Sequence, residues 1–303
     1  MFMTPITKYI AGKDTIPTFK ITSLGNYVEV IETIAHEWRQ RTRDRRGDGH
    51  LSDGRFPGEM VPWFRGTTSS RYLLEPTLLR DDQLLIRFNQ NRESIQILED
   101  YLLKRFKFGG RNEFSRLKVK RKIDWIFLMQ HHGLPTRLLD WSKNALTALY
   151  FAIRKQKEKE DAAVWVIDPR RLNEACDLGR NIAFPEDNRD ARLDEYYYLE
   201  PRTSQHTYPI PVITPPFLSE RLAAQQSRFT YHTDERSALD RFAKTIARAD
   251  NCWYLIKLII PSHRQPQILQ TLRLVGITLP DITPGLDNIA FEIRHRLELG
   301  VDY

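Results

Sequence analysis

The alternation of apolar and polar positions divides the chain into helical and extended stretches. Apolar residues recur at helical spacing over Tyr27–Arg45, through Val28, Ile31, Ile34, Ala35 and Trp38, and the run stops at Gly47-Asp48-Gly49. An extended arm, residues 1–20, precedes it. Helical spacing returns in Leu84–Phe106 and in Leu117–Met129, which predicts two helices folding back across Gly109-Gly110. Asn144–Arg154, Arg264–Val275 and Asp287–Leu297 predict three more. Short runs of β-branched and aromatic residues predict strands at Val61–Arg65, Ala163–Ile167, Arg228–His232 and Cys252–Ile260. From Arg170 to Pro216 periodicity disappears under Pro, Arg, Asp and Tyr, which predicts a long functional loop or lid. The expected class is α+β, a small mostly antiparallel sheet packed against several helices. Residues 1–60 read as an N-terminal arm and helix, and residues 61–303 as one domain with a helical insert at 84–129 and a loop-rich segment at 170–216.

Composition narrows the class of protein. At 303 residues, 41% hydrophobic and 28% charged, the chain has the profile of a soluble globular protein with a sizeable core. No apolar run nears the roughly 20 residues a spanning helix needs, and no charged segment followed by an apolar one opens the chain, so a cytoplasmic protein with no membrane partner is expected. Cys176 and Cys252 have no neighbouring cysteine to make a metal knuckle with, and read as thiols of a reducing compartment.

The net charge of +7 is unevenly spread. Between Lys104 and Lys122 nine basic residues face the single acid Glu113, interleaved with Phe106 and Phe108. Lys107, Arg111, Lys118, Lys120 and Arg121 are the residues of this stretch, 104–122, expected to meet nucleic acid, with cations tracking phosphates and aromatics offering stacking faces. Five more arginines lie between Arg39 and Arg46. Both clusters also fit solvated helix faces, with arginines complementing a helix dipole.

The densest chemistry lies in Gln130-His131-His132-Gly133-Leu134-Pro135-Thr136-Arg137-Leu138-Leu139-Asp140-Trp141, where two imidazoles, a guanidinium, a carboxylate and an indole surround a turn. Gly133 permits the left-handed close of a helix and Pro135 prevents its resumption, which holds the polar groups on a rigid corner. A histidine there can carry a proton, donate to a substrate oxygen or pair with Asp140. Equally, Gln130, His131, His132 and an Arg137–Asp140 pair can tie the turn to the next element of the chain. No metal is expected, because adjacent histidines on a helix diverge by about 100° and no HxxxH or HxH supports them. GxSxG, GxxxxGK[ST] and GxGxxG are all missing, so any ligand is held by side chains. Arg65, ending a short aromatic strand before Gly66, can fork onto a carboxylate or pyrophosphate, or make an internal salt bridge to Asp140. Gly66 removes bulk where a ligand approaches.

Over Trp63 to Phe151 the chain resembles the FRG domain family, through Trp63-Phe64-Arg65-Gly66, Pro76-Thr77-Leu78-Leu79-Arg80, the string from Met129 to Trp141, and Ala148-Leu149-Tyr150-Phe151-Ala152. Arg221, Gln225-Gln226, Phe229-Thr230, Pro284 and Leu286-Asp287 resemble its extended pattern, with Ser227 and Gly285 standing where glycine and aspartate are usual. The family is found mainly in bacteria and phages, and its name implies no reaction. An arginine followed by glycine on an early strand also resembles the Tyr-Arg-Gly start of arginine-type ADP-ribosyltransferases, although the Ser-Thr-Ser strand and Glu-x-Glu loop are missing. That resemblance implies an ADP-ribosyltransferase-like fold and NAD as substrate. Arg65 and Gly66 would then bind it with Gln130, Thr136, Arg137 and Gln226, His131 or His132 would donate to the ribose or the amide, and Asp287 or Glu292 would stabilise the ribosyl cation. The implied role is that of a toxin or antiphage effector acting on nucleic acid or protein, with an antitoxin or inhibitor as a further partner. The alternative is a nucleic-acid- or nucleotide-binding module without turnover, and metal-independent nuclease chemistry through the histidines is a third possibility.

Overall fold

The computed structural model describes residues 16–46, 62–80, 94–114, 119, 121–155, 159–176, 210–213, 224–232, 238–243 and 254–298. Its strands are β1 (Thr18–Lys20), β2 (Trp63–Thr67), β3 (Leu138–Ser142), β4 (Ala162–Ile167), β5 (Ile210–Ile213), β6 (Ser227–Tyr231) and β7 (Leu255–Ile260). They form one sheet in the order β1-β7-β4-β2-β3-β6-β5, and every neighbouring pair is antiparallel except β1 with β7. The expected α+β class with a mostly antiparallel sheet holds.

The sheet is two wings rather than one continuous ladder. β2 pairs with β4 from Trp63↔Ile167 to Thr67↔Ala163, and β3 pairs with β6 from Leu138↔Tyr231 to Ser142↔Ser227. Between the wings, β2 meets β3 at Phe64↔Ser142 alone. Beyond that pair the two strands diverge, and the backbone groups along the gap must find partners other than each other.

The helices are α1 (Leu24–Arg46), α2 (Thr77–Arg80), α3 (Ser94–Gly109), α4 (Arg111–Phe114), α5 (Lys122–His131), α6 (Ala145–Ile153), α7 (Pro169–Ala175), α8 (Gln265–Leu274), α9 (Leu279–Ile282) and α10 (Leu286–Glu298). Asn144 starts α6 by accepting the backbone N–H groups of Leu146 and Thr147 at 3.0 and 3.2 Å. Asp168 caps α7 in the same way, with Pro169 following it. On one face of the sheet, Phe64, Val164, Val166, Ile256 and Leu258 pack against Tyr27, Ile34 and Trp38 of α1, Leu149 and Ile153 of α6, and Ile268 and Leu272 of α8. The other face buries Trp63, Leu139, Trp141, Trp165 and Ile167 with Leu172 of α7. Phe127 and Met129 of α5 cover Leu138, Phe229 and Tyr231 on the second wing.

Several expectations need correction. β1 joins β7 and α1 lies in the main core, so residues 16–46 belong to the same folded body as the rest. The segment 170–216 is not uniformly loop, since it holds most of α7 and the strand β5, while 177–209 fall outside the described residues. The helix expected at Leu84 is described from Ser94 onward, and the one expected at Leu117 begins at Lys122. Strand β3 was not expected: Leu138 is buried toward α5, while Leu139 and Trp141 are buried on the opposite face, so no period of two is visible. No helix among the described residues is long and apolar enough to cross a membrane.

Candidate functional site

Arg65 sits where the wings part. Its Nη1 donates to the backbone carbonyl of Asp140 at 2.7 Å and lies 3.7 Å from the Asp140 carboxylate Oδ2. The guanidinium thus takes the place of a ladder bond and links β2 to β3 beyond their single register pair. Its side chain is 16% exposed and that of Asp140 56%, so the pair opens to solvent through the carboxylate. The Arg65 Nε is buried and has no partner. Asp140 is aimed by a relay: Thr136 Oγ1 donates to Gln130 Oε1 at 2.6 Å, and Gln130 Nε2 donates to Asp140 Oδ2 at 3.0 Å. Arg65, Gln130 and Thr136 therefore converge on Asp140. Both ends of the Gln130 amide are engaged in that relay, and Thr136 is fully buried behind it.

Two further motif residues are anchors rather than ligand contacts. Arg137 donates to Glu99 Oε2 through Nε at 3.0 Å and its Nη2 lies 2.9 Å from the same oxygen as an ion pair, while its backbone N–H donates to Glu99 Oε1 at 3.1 Å. Its guanidinium also stacks on the Tyr231 ring at 4.8 Å. The Arg137 side chain is 3% exposed and that of Glu99 0%, so this ion pair is sealed and pins α3 to the start of β3. An added Cβ on Gly66 would stand 2.0 Å from the Ala148 carbonyl oxygen, so Gly66 admits helix α6 rather than a ligand.

Sequence reasoning missed the groups that set the charge of the site. Arg80 ends α2, which is held at the corner by the Leu78 N–H donating to the Thr136 carbonyl at 3.3 Å. Burial pushes the Arg65 guanidinium down from its usual value, Asp140 opposes that shift, and the like charge of Arg80 adds to it. Arg228 faces Trp141 across the β3–β6 ladder, and burial pushes it down as well. Lys143, just past β3, is lowered by burial and then by Arg228 and Arg170. Arg65 thus has the like charge of Arg80 beside it and the Asp140 carboxylate 3.7 Å away, a balance that favours an anionic guest. His232 was also missed. It is 2% exposed, its Nε2 lies 3.1 Å from Thr230 Oγ1, and that hydroxyl accepts from Trp141 Nε1 at 3.1 Å. Burial and then the charge of Arg65 lower the imidazole from 6.5 to about 3, so it is neutral beside the guanidinium. The Pro76–Arg80 element and the end of the Arg228–His232 strand were visible in the sequence, but nothing there linked either to Arg65.

The remaining candidates lie elsewhere. His131 is half-buried on the corner, and His132 is exposed with its ring 5.9 Å from Phe106 of α3. Phe106, Phe114 and Trp125 stack on one another, with the Lys107 ammonium 4.5 Å from the Trp125 centroid and Arg111 5.9 Å from Phe108. Arg121 is bound to Asp124 at 3.2 Å, and Lys118 and Lys120 fall outside the described residues. Gln226 is exposed at a positive φ of 47°, and its carbonyl accepts the Lys143 N–H at 3.2 Å. Ser142 Oγ donates to the Gln225 carbonyl at 2.7 Å, which fixes this turn at the point where the wings meet. Gln225 Nε2 in turn donates to Thr283 Oγ1 at 3.2 Å and brings the segment before α10 to the same turn. Asp287 is exposed on the first turn of α10. Glu292 is buried 3.9 Å from Arg273 Nε, next to Tyr150. No metal-binding cluster of His, Cys, Asp and Glu exists among the described residues.

Removing the Glu99 carboxylate leaves the Arg137 cation buried without its counter-charge. Glu99→Ala is expected to cost about 3–5 kcal/mol of folding free energy, measured by urea denaturation; a loss below about 1 kcal/mol would contradict a sealed pair. His232 gives a pH signature. The unfolded histidine binds its proton below pH 6.5 and the folded one only near pH 3, so stability present above 6.5 is lost as pH falls across that window. The slope reaches about 1.4 kcal/mol per pH unit. Denaturation of the protein and of His232→Gln at several values between pH 7 and 4 should show the variant with the shallower decline; parallel curves would refute the buried neutral ring.

Among known proteins, the family described as FRG domain matches residues 61–161, a span that runs from the residue before Pro62 through β2, the corner, β3 and α6 to the residue before β4. No curated protein and no solved structure matches. The matched span contains Arg65, Gln130, Thr136, Arg137 and Asp140, so the fork and its supporting relay lie within the stretch, residues 61–161, that matches the FRG domain.

Proposed function

We propose that the chain is an ADP-ribosyltransferase-like enzyme that uses NAD to modify a nucleic acid or a protein, acting as a toxin or antiphage effector held in check by an antitoxin or inhibitor protein. The observation that carries this reading is the half-buried Arg65 at the parting of the two wings, with Arg80 beside it and a single oriented carboxylate, Asp140, within salt-bridge distance. A guanidinium with a like-charged neighbour and its carboxylate partner no nearer than 3.7 Å is suited to a diphosphate, which offers several acceptor oxygens and two negative charges.

In this reading Arg65 and Arg80 grip the diphosphate and the neutral His232 adds no further positive charge beside Arg65. NAD supplies an electrophilic ribose carbon. Breaking the bond from that carbon to nicotinamide returns the electron pair to the leaving ring and leaves positive charge on the ribose. A nearby carboxylate is what that charge needs. Asp140, exposed and aimed by Gln130, is the acid beside the guanidinium, and Asp287 lies in the segment that Thr283 ties to the Gln225 turn. Glu292, buried beside Arg273, is the weaker candidate. His131 remains as a donor at the corner, since His132 packs toward Phe106.

The test is transfer of label from NAD to bulk cellular RNA or protein by the purified chain. Arg65→Ala should lower the rate by about 10²-fold or more, and Arg65→Lys should restore little because an ammonium cannot fork. Unchanged NAD with every target offered would remove the enzyme reading.

A second reading, nucleic-acid binding without turnover, is favoured by the helical insert, where Phe108 is 69% exposed beside Arg111 and Lys107 stands over Trp125. Affinity for RNA or DNA should then fall steeply with salt. Lys107→Glu and Arg111→Glu should each lower the magnitude of the log–log salt slope by about one phosphate contact, and Arg65→Ala should leave it unchanged. A flat salt response in a filter-binding assay would defeat this version.

A further inference from the structure

The end of the β3–β6 ladder gathers positive charge. Trp141 and Arg228 stand opposite each other in the register, so their side chains leave the sheet on one face. Helix α7 covers that face, with Leu172 in the same buried cluster as Trp141. Trp141 Nε1 donates to Thr230 Oγ1, which leans the indole toward the Leu139 end of the ladder and away from Lys143. Lys143 follows β3 directly. Its N–H donates to the Gln226 carbonyl at 3.2 Å, which sets it diagonal to Arg228 across the ladder. Arg170 stands in the first turn of α7. All three cations are half-buried.

The acids of this region are committed elsewhere. Asp168 accepts the backbone N–H groups of Arg170 and Arg171 at 3.0 and 3.2 Å as the cap of α7, and Glu174 is bound to Arg171 at 3.2 Å. The Arg228 guanidinium donates from Nη1 to the Ser227 carbonyl at 2.7 Å, and its Nε is buried without an acceptor. Neither Lys143 nor Arg228 makes an ion pair with a carboxylate among the described residues. Burial and then the like charges of Arg228 and Arg170 push the Lys143 ammonium down, and no carboxylate opposes that shift. Cations half-withdrawn from water beside one another are unfavourable, and an anion seated among them offsets the cost.

The chemistry of that anion follows from the donors. A carboxylate is planar and singly charged, which satisfies one cation. A terminal phosphate carries up to two charges and three free oxygens, so it can take forked donors from both guanidiniums and the point charge of Lys143 together. The cluster is separate from the fork: Lys143 lies three positions beyond Asp140, about 10 Å along an extended chain. Arg65 reaches β3 from the β2 side, whereas Arg228 lies on the β6 side. We infer that Lys143, Arg228 and Arg170 form a second anion site, one that binds a terminal phosphate group.

The test uses the full chain with inorganic phosphate, against chloride at matched ionic strength. Its readouts are the melting temperature and the rate at which acetic anhydride acetylates Lys143, followed by mass spectrometry. Phosphate should raise the melting temperature and slow acetylation of Lys143. Lys143→Gln and Arg228→Gln should each raise the phosphate dissociation constant by about tenfold, the loss of one charge-assisted hydrogen bond. In chloride both variants should be no less stable than the unaltered chain, because each removes a repulsion. Arg65→Ala should leave the protection of Lys143 unchanged, so failure here and failure of the enzyme reading are separately visible. Oligonucleotides with and without a terminal phosphate, and adenosine monophosphate, distinguish the sources. Protection by the phosphorylated oligonucleotide at lower concentration than by the mononucleotide assigns a nucleic-acid end, and equal protection assigns a free phosphate monoester. Acetylation of Lys143 that no phosphate compound slows overturns the proposal, and so does protection that survives Arg228→Gln. Variants destabilised in chloride as much as in phosphate would show a structural role and overturn it as well.

Discussion

The hydrogen bond from the Arg65 guanidinium to the Asp140 carbonyl resolves the main conflict in this sheet. Strands β2 and β3 are each fully laddered on their outer sides but share only Phe64↔Ser142 between them. A sheet that parts in its middle exposes backbone acceptors that water or a side chain must satisfy. Here a charged donor reaches across the gap, and the fork remains open because the donor is a side chain that can exchange partners. A backbone ladder at the same place would close the gap permanently.

That opening is held by two sealed contacts on either side. On the β2 side, Gly66 lets the backbone of α6 approach so closely that any side chain would collide with Ala148. On the β3 side, Glu99 and Arg137 form a buried ion pair whose guanidinium stacks on Tyr231, and it docks the helical insert against the second wing. Buried pairs of this kind contribute little net stability compared with apolar packing, yet breaking one is costly, so they fix position more than they add free energy. The polar density of the 130–141 segment thus divides. Arg137 and Thr136 serve the scaffold, Gln130 aims, and Asp140 emerges at the surface beside Arg65.

The sequence made the α+β class and most elements legible, because α1, α6, α8 and α10 carry a clear apolar period and β4 and β7 are continuous apolar runs. It hid β3, whose residues are buried on both faces, and β1 and β5, which are short edge strands recognisable only by their partners. In the site, Arg65 and its salt bridge to Asp140 were legible as one of two readings of an arginine before a glycine. Glu99 was invisible as the mate of Arg137 because it lies in a separate helix, 38 positions away. His232 was invisible for the complementary reason: a lone histidine at a strand end carries no pattern, and its character comes wholly from burial and from Arg65.

Charge and desolvation together explain why the site is built around arginine. Arg65 is largely withdrawn from water and has one carboxylate at 3.7 Å, a distance that gives only partial compensation. Arg80 raises the cost of that cation, and a protonated His232 would raise it further. An ammonium so placed would shed its proton, whereas a guanidinium stays charged and keeps its forked donors in one plane. The arrangement stores unfavourable charge beside the exposed Asp140 carboxylate, and a polyanion docking there would relieve it. The direction of that relief favours an anionic over a cationic guest at the fork.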